Sequence, residues 1–93
     1  MTIAIYKLAG RLDGASSPTH EKALQEILVG DINSIDIDLS ELDYVSSAGL
    51  RVLLVAAKAA KAKGGKVTLL SPKPATVEVL KISGFDKIIP IKA

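Results

Sequence analysis

The chain has no cysteine, no tryptophan and a single histidine among its 93 residues. Without cysteine there is no disulfide, no thiol nucleophile and no thiolate metal site. A small domain that holds together without disulfides suits a reducing compartment, so the expected location is the cytoplasm. Aromatic residues are confined to Tyr6, Tyr44 and Phe85. The core must then be aliphatic. The stacking platforms that single-stranded nucleic acid needs are also missing, so nucleic-acid binding is not expected. No apolar run reaches the roughly 18 residues needed to cross a bilayer. The longest, Ala48 to Ala57, is interrupted by Arg51. The opening MTIAIYKLAG has no basic start and alternates like a strand, so neither a signal peptide nor membrane insertion is expected.

What is present is enough for one core. With 48% apolar residues, the chain can bury a globular interior, and its length fits a single domain over residues 1–93. The net charge is only +2, yet it is split. Acidic side chains dominate up to Ala48 and basic ones dominate from Gly49 onward. Such a dipolar chain can orient a charged partner, or can simply carry a solvated surface.

Strand and helix patterns alternate. Thr2–Leu8 reads as a strand and Gly10–Gly14 as a short extended piece between turns. Ser16 or Ser17 caps a helix with Pro18 in its first turn and Gly30 as its stop. Ser34–Ser40 alternates Ile35, Ile37 and Leu39 against Asp36 and Asp38, which predicts a strand. A helix runs from about Ser47 to Lys63 and ends at Gly64–Gly65. Lys66–Ser71 is the next strand, Ala75–Ser83 a helix closed by Gly84, and Lys87–Ile91 a last strand whose Pro90 marks a sheet edge. This order predicts an α/β fold with an at least partly parallel sheet.

Catalytic and cofactor motifs are weak or missing. A serine nucleophile needs a base within hydrogen-bond reach. The one candidate, His20, falls in the first turn of the first helix and is expected to be exposed. No Gly-x-Ser-x-Gly elbow occurs. In AKAKGGKVT, Ala60 replaces the first glycine of a phosphate loop and Val67 follows the lysine, in a helix-to-strand order that is the reverse of such a loop. Asp36, Asp38, Glu41 and Asp43 are crowded, but alternating strand carboxylates read as a solvated face. No metal, cofactor or enzymatic activity is expected.

The informative stretch is DLSELDYVSSAGLRVLLVAAKAAKAKGGKV, Asp38 to Val67. At 100° per residue, Gly49, Leu50, Leu53, Ala56, Ala57 and Ala60 share one face suited to burial. Arg51, Lys58 and Lys61 lie opposite. Val52, Leu54 and Val55 are more apolar than a solvated flank requires, which points either to cover by neighbouring elements or to a contact surface for another protein. Ser46 and Ser47 stand where a helix cap is needed. A phosphate there would be stabilised by free N–H groups and the positive end of the dipole.

These segments carry a resemblance. IDIDLSELDYVSSAGLRVLL (Ile35–Leu54), GGKVTLLSPKPATVEVLKISGFDKIIPI (Gly64–Ile91) and GRLDGASSP (Gly10–Pro18) together resemble the STAS domain of the anti-sigma factor antagonist family, over nearly the full length. That resemblance implies a small mixed β-sheet with helices packed mainly on one face. The family motif reads Asp-Ser-Ser-Gly or Asp-Ser-Thr-Gly before Leu, and its first serine is phosphorylated. Matched at Gly49–Leu50, that serine is Ser47, with Ser46 in place of the Asp and Ala48 in place of the second Ser or Thr.

Such proteins are not enzymes. The resemblance implies that the unphosphorylated form binds an anti-sigma factor, often itself a serine kinase, and so releases the sigma factor. Phosphorylation blocks binding and a serine phosphatase restores it. The alternative is a non-catalytic STAS module of another complex, such as a lipid-transport ATPase or a chemosensory system. A monomer is expected. The partner surface is expected around Ser46, Ser47, Ala48 and Gly49, and along Arg51, Val52, Leu54, Val55 and Lys58.

Overall fold

A central strand organises the chain. In the computed structural model, which describes residues 3–92, this strand is β2 (Ser34–Val45). Ile35, Ile37 and Leu39 are fully buried, whereas Asp36 and Asp38 on the opposite face are only half-buried. One sheet face is therefore covered and the other largely open, as expected of period-two patterning. Strand β1 (Ile3–Leu12) lies on one side of β2, and β3 (Val67–Leu70) on the other, with β4 (Ile91–Lys92) at the far edge. All three described pairings are parallel, where a mixed sheet was expected. Thr2, the predicted start of the first strand, lies outside the described residues.

Parallel neighbours need long crossovers, and three helices supply them. They are α1 (Ser17–Ile27), α2 (Ser47–Ala62) and α3 (Pro74–Ile82). Pro18 and Pro74 sit in the first turns of α1 and α3, where a missing N–H costs nothing. Helix α1 ends at Ile27, short of the Gly30 stop read from the sequence. The carbonyls of Leu28, Gly30 and Ile32 all accept from the Lys63 ammonium, which fastens this loop to the far end of α2. Helix α2 closes at Gly64 in the left-handed region (φ 81°). There the N–H of Gly65 donates to the Ala60 carbonyl and that of Gly64 to the Lys61 carbonyl, so the glycine stop is realised as expected.

Two register shifts between β1 and β2 explain the strand lengths. The extra residues fall in β2, between Asp38 and Glu41 and between Leu42 and Tyr44. Beyond Leu39 the buried residues are Leu42 and Val45, a spacing of three rather than two. The alternation that ends at Ser40 in the sequence thus continues as strand to Val45. The two expected pieces around Gly10 likewise join into one ten-residue β1. At the other edge, Phe85–Lys87 forms a 3-10 turn that seats Phe85 in the core, and only Ile91 and Lys92 pair as strand. Pro90 precedes that edge strand.

Candidate functional site at the start of the central helix

The register pairs Leu12 with Val45, so β1 and β2 end side by side. The Ser46 N–H donates to the Leu12 carbonyl at 2.9 Å and locks the two strand ends together. Helix α2 begins at the next residue. Ser46 is its cap: the backbone is extended (φ −96°, ψ 177°) and Oγ accepts from the Gly49 N–H at 3.2 Å.

Ser47 is thereby left free. It is the first helical residue, it is exposed, and its hydroxyl makes no hydrogen bond within the described chain. The N–H groups of Ser47 and Ala48 are likewise without acceptors, because the cap serves Gly49 and the Ser46 carbonyl serves Leu50. They are the free donors of a helix start. Gly49 is buried. A Cβ there would stand 2.5 Å from the Leu12 carbonyl oxygen and 2.8 Å from Leu12 Cγ and Val45 Cγ2. Glycine lets the helix start settle directly on the strand ends.

An open cavity of about 410 Å³ lies beside this helix start. Ser47, Ala48 and Arg51 form its α2 wall; Ser17 and Glu21 of α1, with Gly14 of the preceding loop, form the other. The loop leading to α1 is braced. Asp13 Oδ1 accepts from the N–H groups of Ala15 and Ser16 at 3.1 Å, and Ser16 Oγ donates to the Arg11 carbonyl at 2.7 Å. The Ser16 amide, with Arg11 and Ala15 behind it, holds the Asp13 carboxyl below the usual carboxylate range. The sequence reading gives turns on either side of Gly10–Gly14 but not the bracing of this one by the Asp13 and Ser16 side chains. It also passed over the cavity wall formed by Ser17 and Glu21, which only tertiary packing assembles.

The residues expected to contact a partner divide into three groups. Ser47, Arg51 and Lys58 are exposed; Ser46, Ala48, Leu54 and Val55 are half-buried; Gly49 and Val52 are buried, Val52 to 3% exposure. Val52 is therefore core and not surface flank. The buried stripe of α2 runs through Gly49, Val52, Leu53, Ala56 and Ala60, because α1 packs alongside and shifts it from the face first drawn. Val55 lines the narrow groove against Leu24 of α1 and Leu28 just beyond its end. Leu54 lies on the other flank, in an open groove with Ala57, Lys58, Lys61 and Ile88.

His20, expected to be exposed, is half-buried. Its Nδ1 lies 2.8 Å from the Tyr6 hydroxyl, with the two rings edge to face. It makes no hydrogen bond to Ser47 and does not line the cavity, so the two are not brought together as nucleophile and base. Three of the four acidic strand residues are also engaged. Asp38 accepts from the Ser40 N–H at 2.9 Å, Glu41 pairs with Lys7, and Asp43 pairs with Lys73. Among the described residues no group of carboxylates and histidine is placed to hold a metal, and no helix is long and apolar enough to cross a membrane.

The domain thus presents a free serine at a helix start, and among the described residues no base makes a hydrogen bond to it. The chain belongs to the STAS domain family, whose profile matches residues 2–93. A Bordetella bronchiseptica protein, BtrV, named as a candidate anti-sigma factor antagonist, is 37% identical over 99 residues, 98% of this chain and 85% of that protein. The anti-sigma F factor antagonist of Paenibacillus polymyxa is 30% identical over 96% of this chain and 77% of its own length. Among solved structures, a Thermotoga maritima protein described as a candidate anti-sigma factor antagonist superposes with a TM-score of 0.91 at 25% identity, covering 98% of this chain and 79% of that one.

Proposed function

We propose that this protein is an anti-sigma factor antagonist that works by phosphorylation-controlled partner switching. Unphosphorylated, it binds an anti-sigma factor with serine kinase activity and releases the sigma factor. Phosphorylation of Ser47 ends that binding, and a serine phosphatase restores it. The protein acts in the cytoplasm as a monomer and is itself non-catalytic. The names carried by its relatives support the antagonist role.

The observation that carries the switch is the division of labour between two adjacent serines. Ser46 is committed to capping, and Ser47 is exposed with a free hydroxyl. A kinase can reach Ser47 without unfolding the helix. A phosphate there adds about −1.5 to −2 charges at neutral pH, beside two free N–H donors and the positive helix end, where an anion is favoured. The domain stays folded while its surface changes sign next to Arg51. A partner carboxylate drawn to Arg51 would then be repelled.

Incubation with ATP and the cognate anti-sigma kinase, followed by peptide mass spectrometry, tests the assignment. Phosphate is expected on Ser47. Phosphate confined to Ser46, Ser16 or Ser17 overturns it.

A further inference from the structure

We infer that the phosphate on Ser47 is received by the cavity between α1 and α2, with the buried Ser17 hydroxyl as its donor from α1. This rests on the reading of Ser47 as the phosphorylated residue and adds how the modified state is held.

Two independent observations meet in this cavity. The first is the α2 start, with the free N–H groups of Ser47 and Ala48 and the Arg51 side chain one turn on. Among the described residues no carboxylate lies within ion-pair distance of Arg51. The second is Ser17. It lines the same cavity from α1 and is 6% exposed, yet its hydroxyl has no hydrogen-bond partner. Its backbone N–H is used by the Asp13 carbonyl, and Ser16 rather than Ser17 braces the turn. A buried hydroxyl without a partner is a cost that native folds rarely leave uncompensated. The Ser17 Oγ is itself shut off from solvent, so the inference requires it to turn about its single side-chain bond to donate into the cavity that its residue lines. Among the described residues the other unpartnered buried side-chain atom, Asn33 Oδ1, belongs to the loop beside Gly65 and not to this cavity.

The source of the phosphate follows from the charges that face the cavity. Arg51 on α2 is opposed by Glu21 on α1. Asp13 is engaged by its own turn and by Arg11, and His20 by Tyr6. The net charge on the walls is close to zero, so a free phosphate gains little by entering. A phosphate tethered to Ser47 needs no such affinity, because its local concentration is set by the covalent link.

The test uses full-length protein with phosphoserine installed at position 47 by genetic encoding, so it is independent of any kinase. The second pKa of the phosphate is followed by phosphorus NMR in the wild-type background and in Ser17→Ala and Arg51→Gln, with unmodified protein titrated with inorganic phosphate as the other arm. The wild-type background is expected to titrate below an unstructured phosphoserine peptide. Ser17→Ala should raise that pKa by about half a unit, roughly threefold in proton affinity, and Arg51→Gln should raise it too. Unphosphorylated Ser17→Ala should be as stable as wild type or more so, since it removes an unpartnered hydroxyl. With phosphoserine present, the same substitution should destabilise. Titration curves that do not move in either variant would overturn the inference. So would a loss of stability in unphosphorylated Ser17→Ala, which would make Ser17 a structural residue. Tight saturation by inorganic phosphate that Ser17→Ala abolishes would assign the cavity to a free ligand instead. None of these results touches whether a kinase modifies Ser47.

Discussion

Gly49→Ala sets two physical effects of opposite sign against each other. In an exposed helix the change is stabilising, because alanine is favoured over glycine by about 0.8–1 kcal/mol. At position 49 the new Cβ would stand 2.5 Å from the Leu12 carbonyl oxygen and 2.8 Å from both Leu12 Cγ and Val45 Cγ2. The oxygen cannot easily retreat, because it accepts the Ser46 N–H that joins the strand ends. Overpacking of this kind costs about 1–3 kcal/mol, sometimes more. The clash outweighs propensity, and a net loss of about 1–2 kcal/mol is expected. With a urea m-value of about 1–3 kcal/mol per molar for a small protein, the unfolding midpoint should fall by about 0.3–2 M. Urea unfolding followed by far-UV circular dichroism reads it. A midpoint that stays or rises would refute the close packing of α2 on the strand ends, and with it the placement of Ser47.

Further outcomes follow from the same contacts. Ser46→Ala should cost about 0.5–2 kcal/mol as a lost cap, whereas Ser47→Ala should stay within about 0.5 kcal/mol; urea unfolding of both separates the two serines. Leu54→Asp should weaken anti-sigma factor binding by more than about 1 kcal/mol in a calorimetric titration; because Leu54 is half-buried against the core, it should also lower stability while leaving the protein folded, whereas Val52→Asp, at a core position, should unfold the protein. Asp13 and Asp38 are held below the ordinary carboxylate range by the Ser16 and Ser40 amides respectively. Their contribution is complete above the unfolded-state value of about 4 and is lost as pH falls through the depressed folded-state values. Stability should therefore decline in that acid window, and Asp13→Asn should shrink the decline, as followed by thermal melts across pH.

Much of this architecture is legible in the residues, and the parts that are not share a physical cause. Period-two patterning gives the core of β2, and Gly64 gives the end of α2 through its left-handed backbone. The full length of β2 is hidden because two bulges change the spacing of its buried residues from two to three. The burial of Val52 is hidden because a helical wheel does not say that α1 lies alongside. The choice between Ser46 and Ser47 as cap turns on one backbone angle at Ser46. The Lys63 clamp joins residues 31 to 35 positions apart and has no local signature. The Ser17–Ser47 cavity is likewise a product of tertiary packing.

The central claim is that the charge state of Ser47 decides whether an anti-sigma factor binds. Isothermal titration of the cognate anti-sigma factor, without ATP, into protein carrying serine or genetically encoded phosphoserine at position 47 tests it most directly. Binding by the unmodified protein and at least a tenfold weaker affinity with phosphoserine, about 1.4 kcal/mol, is the predicted result. Equal affinity for the two forms, with both folded, would contradict the account.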